Sequence, residues 1–403
     1  GKFHPDFIWK KHPDFGKRDN PDIEHYLTQP ARTTFEELGI DPRVVDGGVA
    51  SNFVGECFVN QGHLGSMMVR AHPDLEGKPF HRVEGACASG ALALVSGLNM
   101  IAGGLDVVLV AGGEVQTTVN AKEGADYLAR ASHYQMQREI DPFTFPCLFA
   151  RRMKAYCEKY DLDPGAVAPI VVKAYENAAK NPDAHMREVG MDLEKARHAS
   201  DSNPVFLDNE EFRDFLRISD CSQVSDGGSC VILASGEGLN RMGIHPKETV
   251  EIVAYGHATG ALGEVNDLCE LDVTAQAAQQ AYGSAGWNAT DVQVAEVHDC
   301  FSITEALMYE ALGFCQPGEG VAFGAEGETS LTGSIPVNTG GGLMAFGHPV
   351  GATGVKQALE MLRQMKGRCG DYQMASAPSR GITANMGGDD RTSVVTLYRN
   401  VEG

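Results

Sequence analysis

The feature that most constrains this 403-residue chain is a layout it uses twice. Val83-Glu84-Gly85-Ala86-Cys87-Ala88-Ser89-Gly90 passes from a short extended segment through small residues into an apolar helical pattern over 91–102. Residues 336–354 repeat that order: extended residues, the turns Asn338-Thr339-Gly340-Gly341-Gly342 and Gly347-His348-Pro349, then a helical pattern over 355–365. Two further strands correspond as well. Residues 227–234 and 391–398 read as strands, and each follows a Ser/Asn- and Gly-rich turn, 222–228 and 385–390. A duplicated chain of this kind folds as two similar halves. A pseudo-twofold axis between them carries Cys87 and His348, in corresponding turns, to one place. The boundary between the halves falls near 238–249.

Both turns suit chemistry. At a helix start several backbone N–H groups lack an intrahelical partner, and with the helix dipole they favour a thiolate over a thiol. The small neighbours of Cys87 let a bulky acyl group reach the sulfur. A free cysteine is otherwise a small, inert hydrophobe, so what singles out Cys87 among ten cysteines is its partner far along the chain. A histidine held in a glycine-rich turn before a helix serves as general base or oxyanion donor.

A third stretch, Val294-Ala295-Glu296-Val297-His298-Asp299-Cys300-Phe301-Ser302, reads as a buried strand leaving into a polar turn, with a helix over 303–312. Together the three stretches resemble the thiolase superfamily. Where many thiolases carry Asn-Glu-Ala-Phe, this chain has His298-Asp299-Cys300-Phe301, which resembles the sterol-carrier-protein-2 type. The family's C-terminal Cys-x-Gly motif stands here as Asn385-Met386-Gly387-Gly388. The loss at Asn385 and the gain at Cys300 agree, because in that subfamily the second catalytic cysteine comes from the His-Asp-Cys-Phe turn.

The resemblance implies an α/β thiolase fold: two duplicated βαβαβαββ half-domains in five layers, αβαβα, with an inserted loop domain. The N-terminal half is expected over 1–120 and 215–240, the loop domain covering coenzyme A over 121–214, and the C-terminal half over 241–403. It implies acyl transfer through an acyl-cysteine on Cys87, with His348 taking its proton and Cys300 as acid–base. His348 and His298 are expected to hold the enolate oxygen, and the backbone N–H groups of Cys87 and Gly387 the tetrahedral intermediate. Asp299 is expected to organise its turn and Asn338 to make a polar contact in the pocket. Arg151, Arg152 and Lys154 are weak candidates for the coenzyme A phosphates, set against an ordinary solvated helix face. Acyl-CoA and coenzyme A are substrates; no metal and no permanently bound cofactor is expected. A homodimer is expected from the resemblance alone.

Composition narrows the partners. Thirty-three basic against 54 acidic residues give a formal charge of −21, which repels phosphate backbones and anionic surfaces, so neither nucleic acid nor membrane is expected. The cysteines form no Cys-x-x-Cys pair, no apolar run approaches the ~18 residues of a membrane span, and no secretory leader is visible. A cytoplasmic enzyme with reduced thiols is the expectation. There is no P-loop or dinucleotide fingerprint.

Locally, the pattern predicts a helix over Ile23–Leu38 stopped by Gly39, strands over 44–53 and 106–113, and helices over 64–72, 149–160 and 166–180. Residues 1–22 show no regular period and read as an irregular segment, although thiolases begin with a short apolar strand. That departure keeps open a partner-dependent acyl-CoA-binding subunit needing a small accessory protein. A retro-aldol lyase acting on acyl-CoA side chains is the other alternative; proteins of that kind typically lack the nucleophilic cysteine.

Overall fold

Strands and helices alternate as the hydrophobic pattern predicts. The computed structural model describes residues 2–4, 14, 17–263 and 265–401. Helix α1 (Ile23–Leu38) opens at Asp22, whose carboxylate accepts the His25 N–H, and closes at Gly39, which takes the left-handed φ of 62° that a C-cap favours. Helices α2 (Ser89–Ala102), α3 (Ala121–Leu128), α4 (Thr144–Tyr160), α5 (Ala168–Lys180), α6 (Asp272–Ala285), α7 (Ser302–Ala311) and α8 (Thr353–Met365) follow. Helix α4 starts five residues before the expected 149, because Pro146 lies in its first turn, where a missing N–H costs no hydrogen bond.

Two sheets carry the duplication. The first holds β1 (Lys2–His4), β2 (Gly47–Ser51), β3 (Phe80–Val83), β4 (Val107–Glu114) and β5 (Gly227–Ala234) in the order β1-β5-β4-β2-β3. The second holds β6 (Val250–Thr259), β7 (Val294–Glu296), β8 (Arg380–Gly387) and β9 (Thr392–Asn400) in the order β6-β9-β8-β7. A parallel bridge from Ala295 to Val337 supplies a fifth position beside β7. From edge to edge, both sheets run antiparallel, antiparallel, parallel, parallel. Val337 thus occupies the place of β3, and the turns beyond them hold His348 and Cys87.

The layers follow from which faces are apolar. Strands β2 and β4 are buried throughout, as expected of strands covered on both faces. Helix α1 lies on β4 and β5, α6 on β6 and β9, and α2 and α8 fill the space between the sheets. There the two helices meet backbone to backbone: a Cβ on Gly90 would lie 2.5 Å from the Gly354 nitrogen, and one on Gly354 2.2 Å from the Ala91 nitrogen. This contact sits at the first turn of both helices, a few residues after Cys87 and His348. Helices α3, α4 and α5 lie outside this sandwich, with α4 and α5 packed on α7.

One expectation is corrected. The N-terminal segment does contain a strand: β1 pairs antiparallel with β5, Phe3 opposite Ser229. At three residues it is too short to leave a periodic signal. Its Phe3 ring is buried and meets Phe346 edge-on at 4.7 Å, beneath the His348 turn. Most of the expected irregular segment, residues 5–13, 15 and 16, lies outside the described residues. No helix among the described residues is long and apolar enough to cross a membrane.

Candidate active site

The Cys87 turn braces itself. Ala86 takes a left-handed φ of 51° without being glycine, a strained conformation that persists only when its surroundings impose it. Here the Glu84 carboxylate accepts the Ala86 N–H, and the Ser89 hydroxyl accepts the Gly85 N–H while donating to the Ala86 carbonyl at 2.6 Å. Cys87 follows at the apex, immediately before α2.

The His348 turn is docked onto the first half of the chain. Its N–H donates to the Ser225 hydroxyl at 2.9 Å, Gly351 N–H donates to the buried Glu114 carboxylate at 3.0 Å, and the Ser51 hydroxyl donates to the Gly351 carbonyl at 2.7 Å. Glu114 also accepts the Phe53 N–H and the Asn52 amide. The ring of His348 is fixed by Thr353, with Nδ1 to Oγ1 at 2.6 Å. Because the Thr353 hydroxyl donates to the Pro349 carbonyl at 3.1 Å, it accepts from Nδ1–H. The other nitrogen, Nε2, keeps its lone pair.

The third turn is tied to the second. Asp299 accepts the N–H groups of Leu343 and Met344, and a Cβ on Gly342, whose φ is 61°, would fall 2.1 Å from its carboxylate. Asp299 therefore organises two turns at once. His298 and Cys300, on either side of it, are buried. The Cys300 sulfur lies 3.8 Å from the Thr304 hydroxyl. Its carbonyl accepts the Ser222 N–H at 2.9 Å, which joins the segment ahead of β5 to the same turn.

These turns converge on one cavity of about 370 Å³, lined by Cys87, His298, Cys300, His348 and Gly388 at one end. The sulfur of Cys87 and one ring nitrogen each of His298 and His348 lie within 4.8 Å of one another, so the three could also hold a metal ion. The two imidazoles stand edge to face, 5.0 Å between centroids. Elsewhere the wall is mostly apolar, with Leu128 of α3, Phe145 and Phe149 of α4 and also Phe143 and Phe206, beside the polar Gln116, Ser222 and Gln223.

Burial sets the charge states. It pushes the Cys87 thiol up to about 12, an effect the Gly388 backbone N–H partly offsets. Burial takes His348 down to about 3 and holds His298 well below the usual imidazole range, with His348 beside it adding to the effect. Cys300 is held well above the usual thiol range, first by burial and then by Cys87. All four groups are therefore neutral at pH 7, and the thiolate expected of Cys87 at its helix start gives way to a thiol because burial outweighs the backbone N–H groups.

Three expectations change. Gly387 lies in β8 opposite Thr392, and the backbone N–H at the Cys87 sulfur belongs to Gly388, whose φ is 66°. Gly387 matters for another reason: a Cβ there would lie 2.2 Å from the Gly85 carbonyl. Asn338 is fully buried and accepts the Val297 N–H at 2.9 Å, so it ties strands together behind the cavity and does not line it. Arg152 is fully buried, paired with Asp389 and bonded to the carbonyls of Leu268 and Glu270, so it is spent on the fold and cannot reach a phosphate. Arg151 faces Asp389 as well, at 3.6 Å, and Lys154 pairs with Glu158 and Glu211. No Lys or Arg is among the described residues that line the cavity.

Sequence reasoning assigns Thr353, Gly388 and Asn385 no role in the site. Asn385 stands where the family motif has a cysteine, and its amide reaches both the Cys87 carbonyl and His298 Nδ1, each at 3.1 Å.

Two matched sheets that bring a cysteine, two histidines and a second cysteine together at helix starts define the thiolase class of α/β proteins. Residues 16–237 match the thiolase N-terminal domain and residues 254–400 the thiolase C-terminal domain-like family. The chain belongs to the thiolase family, in its sterol-carrier-protein-2-type branch. It is 34% identical to an acetyl-CoA acetyltransferase of Methanothermobacter thermautotrophicus, over 95% of this chain and 96% of that one. It is 30% identical to human sterol carrier protein 2, over 95% of this chain and 68% of that one. Among solved structures, an Ltp2–ChsH2(DUF35) aldolase superposes with a TM-score of 0.75 at 20% identity, covering 95% of this chain and 94% of that one. A monomeric SCP2-thiolase-like protein of Mycobacterium smegmatis gives 0.69 at 17%, covering 96% and 76%. These two likenesses concern the fold.

Proposed function

We propose that the chain catalyses the reversible thiolysis and Claisen condensation of 3-oxoacyl-CoA, with acetyl-CoA and coenzyme A as partners in the exchange. The observation that carries this reading is the meeting of Cys87, His348 and Cys300 in one largely apolar cavity.

In the thiolytic direction His348 Nε2 takes the Cys87 proton as the sulfur attacks the 3-oxo carbon. The backbone N–H groups of Cys87 and Gly388 lie at the sulfur and serve the oxyanion that forms there. As the bond between the second and third carbons breaks, the electron pair passes to the acetyl-CoA enolate. His298 and the protonated His348 hold its oxygen, and Cys300 gives its proton to the enolate carbon. The Cys300 thiolate then takes the proton of an incoming coenzyme A thiol. That thiolate attacks the acyl-Cys87, and the departing Cys87 sulfur recovers its proton from His348. Every proton is returned, and the cycle balances with these groups alone.

The apolar wall suits an acyl chain longer than acetyl, since each buried methylene contributes ~0.8 kcal/mol. The test is thiolysis of acetoacetyl-CoA and of a longer 3-oxoacyl-CoA by the wild type, Cys87→Ala and Cys300→Ala. Turnover in the wild type and its loss by at least ~10³-fold in both variants supports the reading, since the nucleophile and the proton donor each supply factors of that order. A wild-type chain that binds acyl-CoA without turnover contradicts it and favours a partner-dependent or lyase activity.

A further inference from the structure

The cluster of Cys87, His298 and His348 poses a problem for a thiolase. Its three ligand atoms lie within 4.8 Å of one another, two of the three residues are buried, and a Cys-His-His set of this kind is a competent transition-metal site. A metal there would occupy the nucleophile. The hydrogen bonds around His298 bear on whether it can bind.

Asn385 is fully buried and its amide can face only one way. Its Oδ1 accepts the Ala91 N–H at 3.2 Å, so its NH2 group points to the other side. There one hydrogen goes to the Cys87 carbonyl and the other to His298 Nδ1, both at 3.1 Å. Nδ1 must therefore offer its lone pair, and in a neutral imidazole the proton then sits on Nε2. His298 Nε2 is buried and has no hydrogen-bond partner among the described residues. His348 has the opposite arrangement, with Nδ1–H on Thr353 and the lone pair on Nε2. One imidazole is built to accept a proton and the other to donate a hydrogen bond.

Building on the proposed thiolase reading, we propose that Asn385 is a positioning residue: it fixes His298 as an Nε2–H donor and thereby keeps a transition-metal ion off the nucleophile. A metal ligand needs a ring nitrogen with a free lone pair; Nδ1 spends its own on the Asn385 NH2 group and Nε2 carries the proton. Freeing Nε2 moves its proton to Nδ1, against the NH2 group of Asn385. Metal-binding histidines instead place Nδ1–H on a carboxylate or a carbonyl, the kind of group that Asn385 withholds.

The substitution Asn385→Asp supplies that group. Its carboxylate accepts from His298 Nδ1–H and frees Nε2. Binding of a divalent ion then joins metal to the Cys87 sulfur, one ring nitrogen each of His298 and His348 and water, with the thiol proton released to solvent. Co²⁺ is the probe, because a thiolate ligand gives it a charge-transfer absorbance. The folded Asn385→Asp chain is expected to bind Co²⁺ at least ~10-fold more tightly than the wild type, the lower end of such outer-sphere effects. Adding Cys87→Ala is expected to remove the absorbance. Equal Co²⁺ affinity in the wild type and the folded variant overturns the proposal. Should the variant fail to fold by circular dichroism, the wild type alone decides through ¹⁵N resonances of His298, assigned with His298→Gln. A protonated Nε2 supports the proposal, and a protonated Nδ1 overturns it. Neither readout needs turnover, so a chain without thiolysis that gives both expected results loses the thiolase reading and keeps the role of Asn385.

Discussion

At the scale of single residues, the site works with neutral groups. The Cys87 thiol is pushed to about 12 and His348 is lowered to about 3, so the resting pair is thiol and imidazole, without a thiolate–imidazolium ion pair. Only the thiolate is alkylated, and its fraction rises tenfold per pH unit while the pH stays below the pKa. Iodoacetamide modification of Cys87, followed by peptide mass spectrometry, is expected to accelerate ~tenfold per unit from pH 7 to 9. A plateau below pH 8 contradicts these charge states. Arg152 gives a second prediction. It is a buried guanidinium holding Asp389, one residue after Gly388, so Arg152→Ala leaves that buried carboxylate, among the described residues, with only the Arg151 contact at 3.6 Å. That costs about 3–5 kcal/mol, measurable by urea unfolding; a loss below ~1 kcal/mol, the range of exposed pairs, contradicts the assignment. The convergence of Cys87, His348, Cys300 and His298 on one cavity was legible because they lie in short motifs. The roles of Arg152, Asn338 and Asn385 were not, since burial and a partner 237 residues away, as for Arg152 and Asp389, leave no mark in local sequence.

At the scale of elements, the site depends on two helix starts held in backbone contact. Gly90 of α2 and Gly354 of α8 permit an approach that any Cβ would block: on Gly90 it would meet the Gly354 nitrogen and Cα at 2.5 and 2.8 Å. Those atoms are backbone and cannot swing aside. Gly90→Ala is therefore expected to cost ~1–3 kcal/mol, the usual range for overpacking, and to lower kcat by more than the lost stability explains, because a misplacement of ~1 Å can cost ~10²-fold. Thermal unfolding and thiolysis of the same preparation check this; unchanged kcat contradicts it. The repeated strand–turn–helix layout made this pairing of elements readable. Helix α1 and β5 were legible to the residue, since Gly39 and the glycines around 227 punctuate them. Strand β1 was invisible because three residues carry no period, and its pairing with β5 is set by the sheet that receives it.

At the scale of the whole molecule, two similar halves create one site that neither holds alone. The first supplies Cys87 and, through Glu114 and Ser225, the seat of the His348 turn; the second supplies His348, His298, Cys300 and the Gly388 N–H. Helices α3 and α4 close the cavity with apolar side chains. The order of the strands, their directions and the place of Val337, which corresponds to β3, repeat so closely that the duplicated motifs made most of the architecture legible, whereas the lining of the cavity emerged only from packing. The central claim is that Cys87 carries the acyl group while Cys300 moves the proton. The most direct test is intact-mass and peptide mapping of Cys300→Ala after brief exposure to a 3-oxoacyl-CoA, beside Cys87→Ala. The account predicts an acyl adduct on Cys87 in the first chain and none in the second. An adduct on another residue, or none on a Cys300→Ala chain that still binds the substrate, would contradict it.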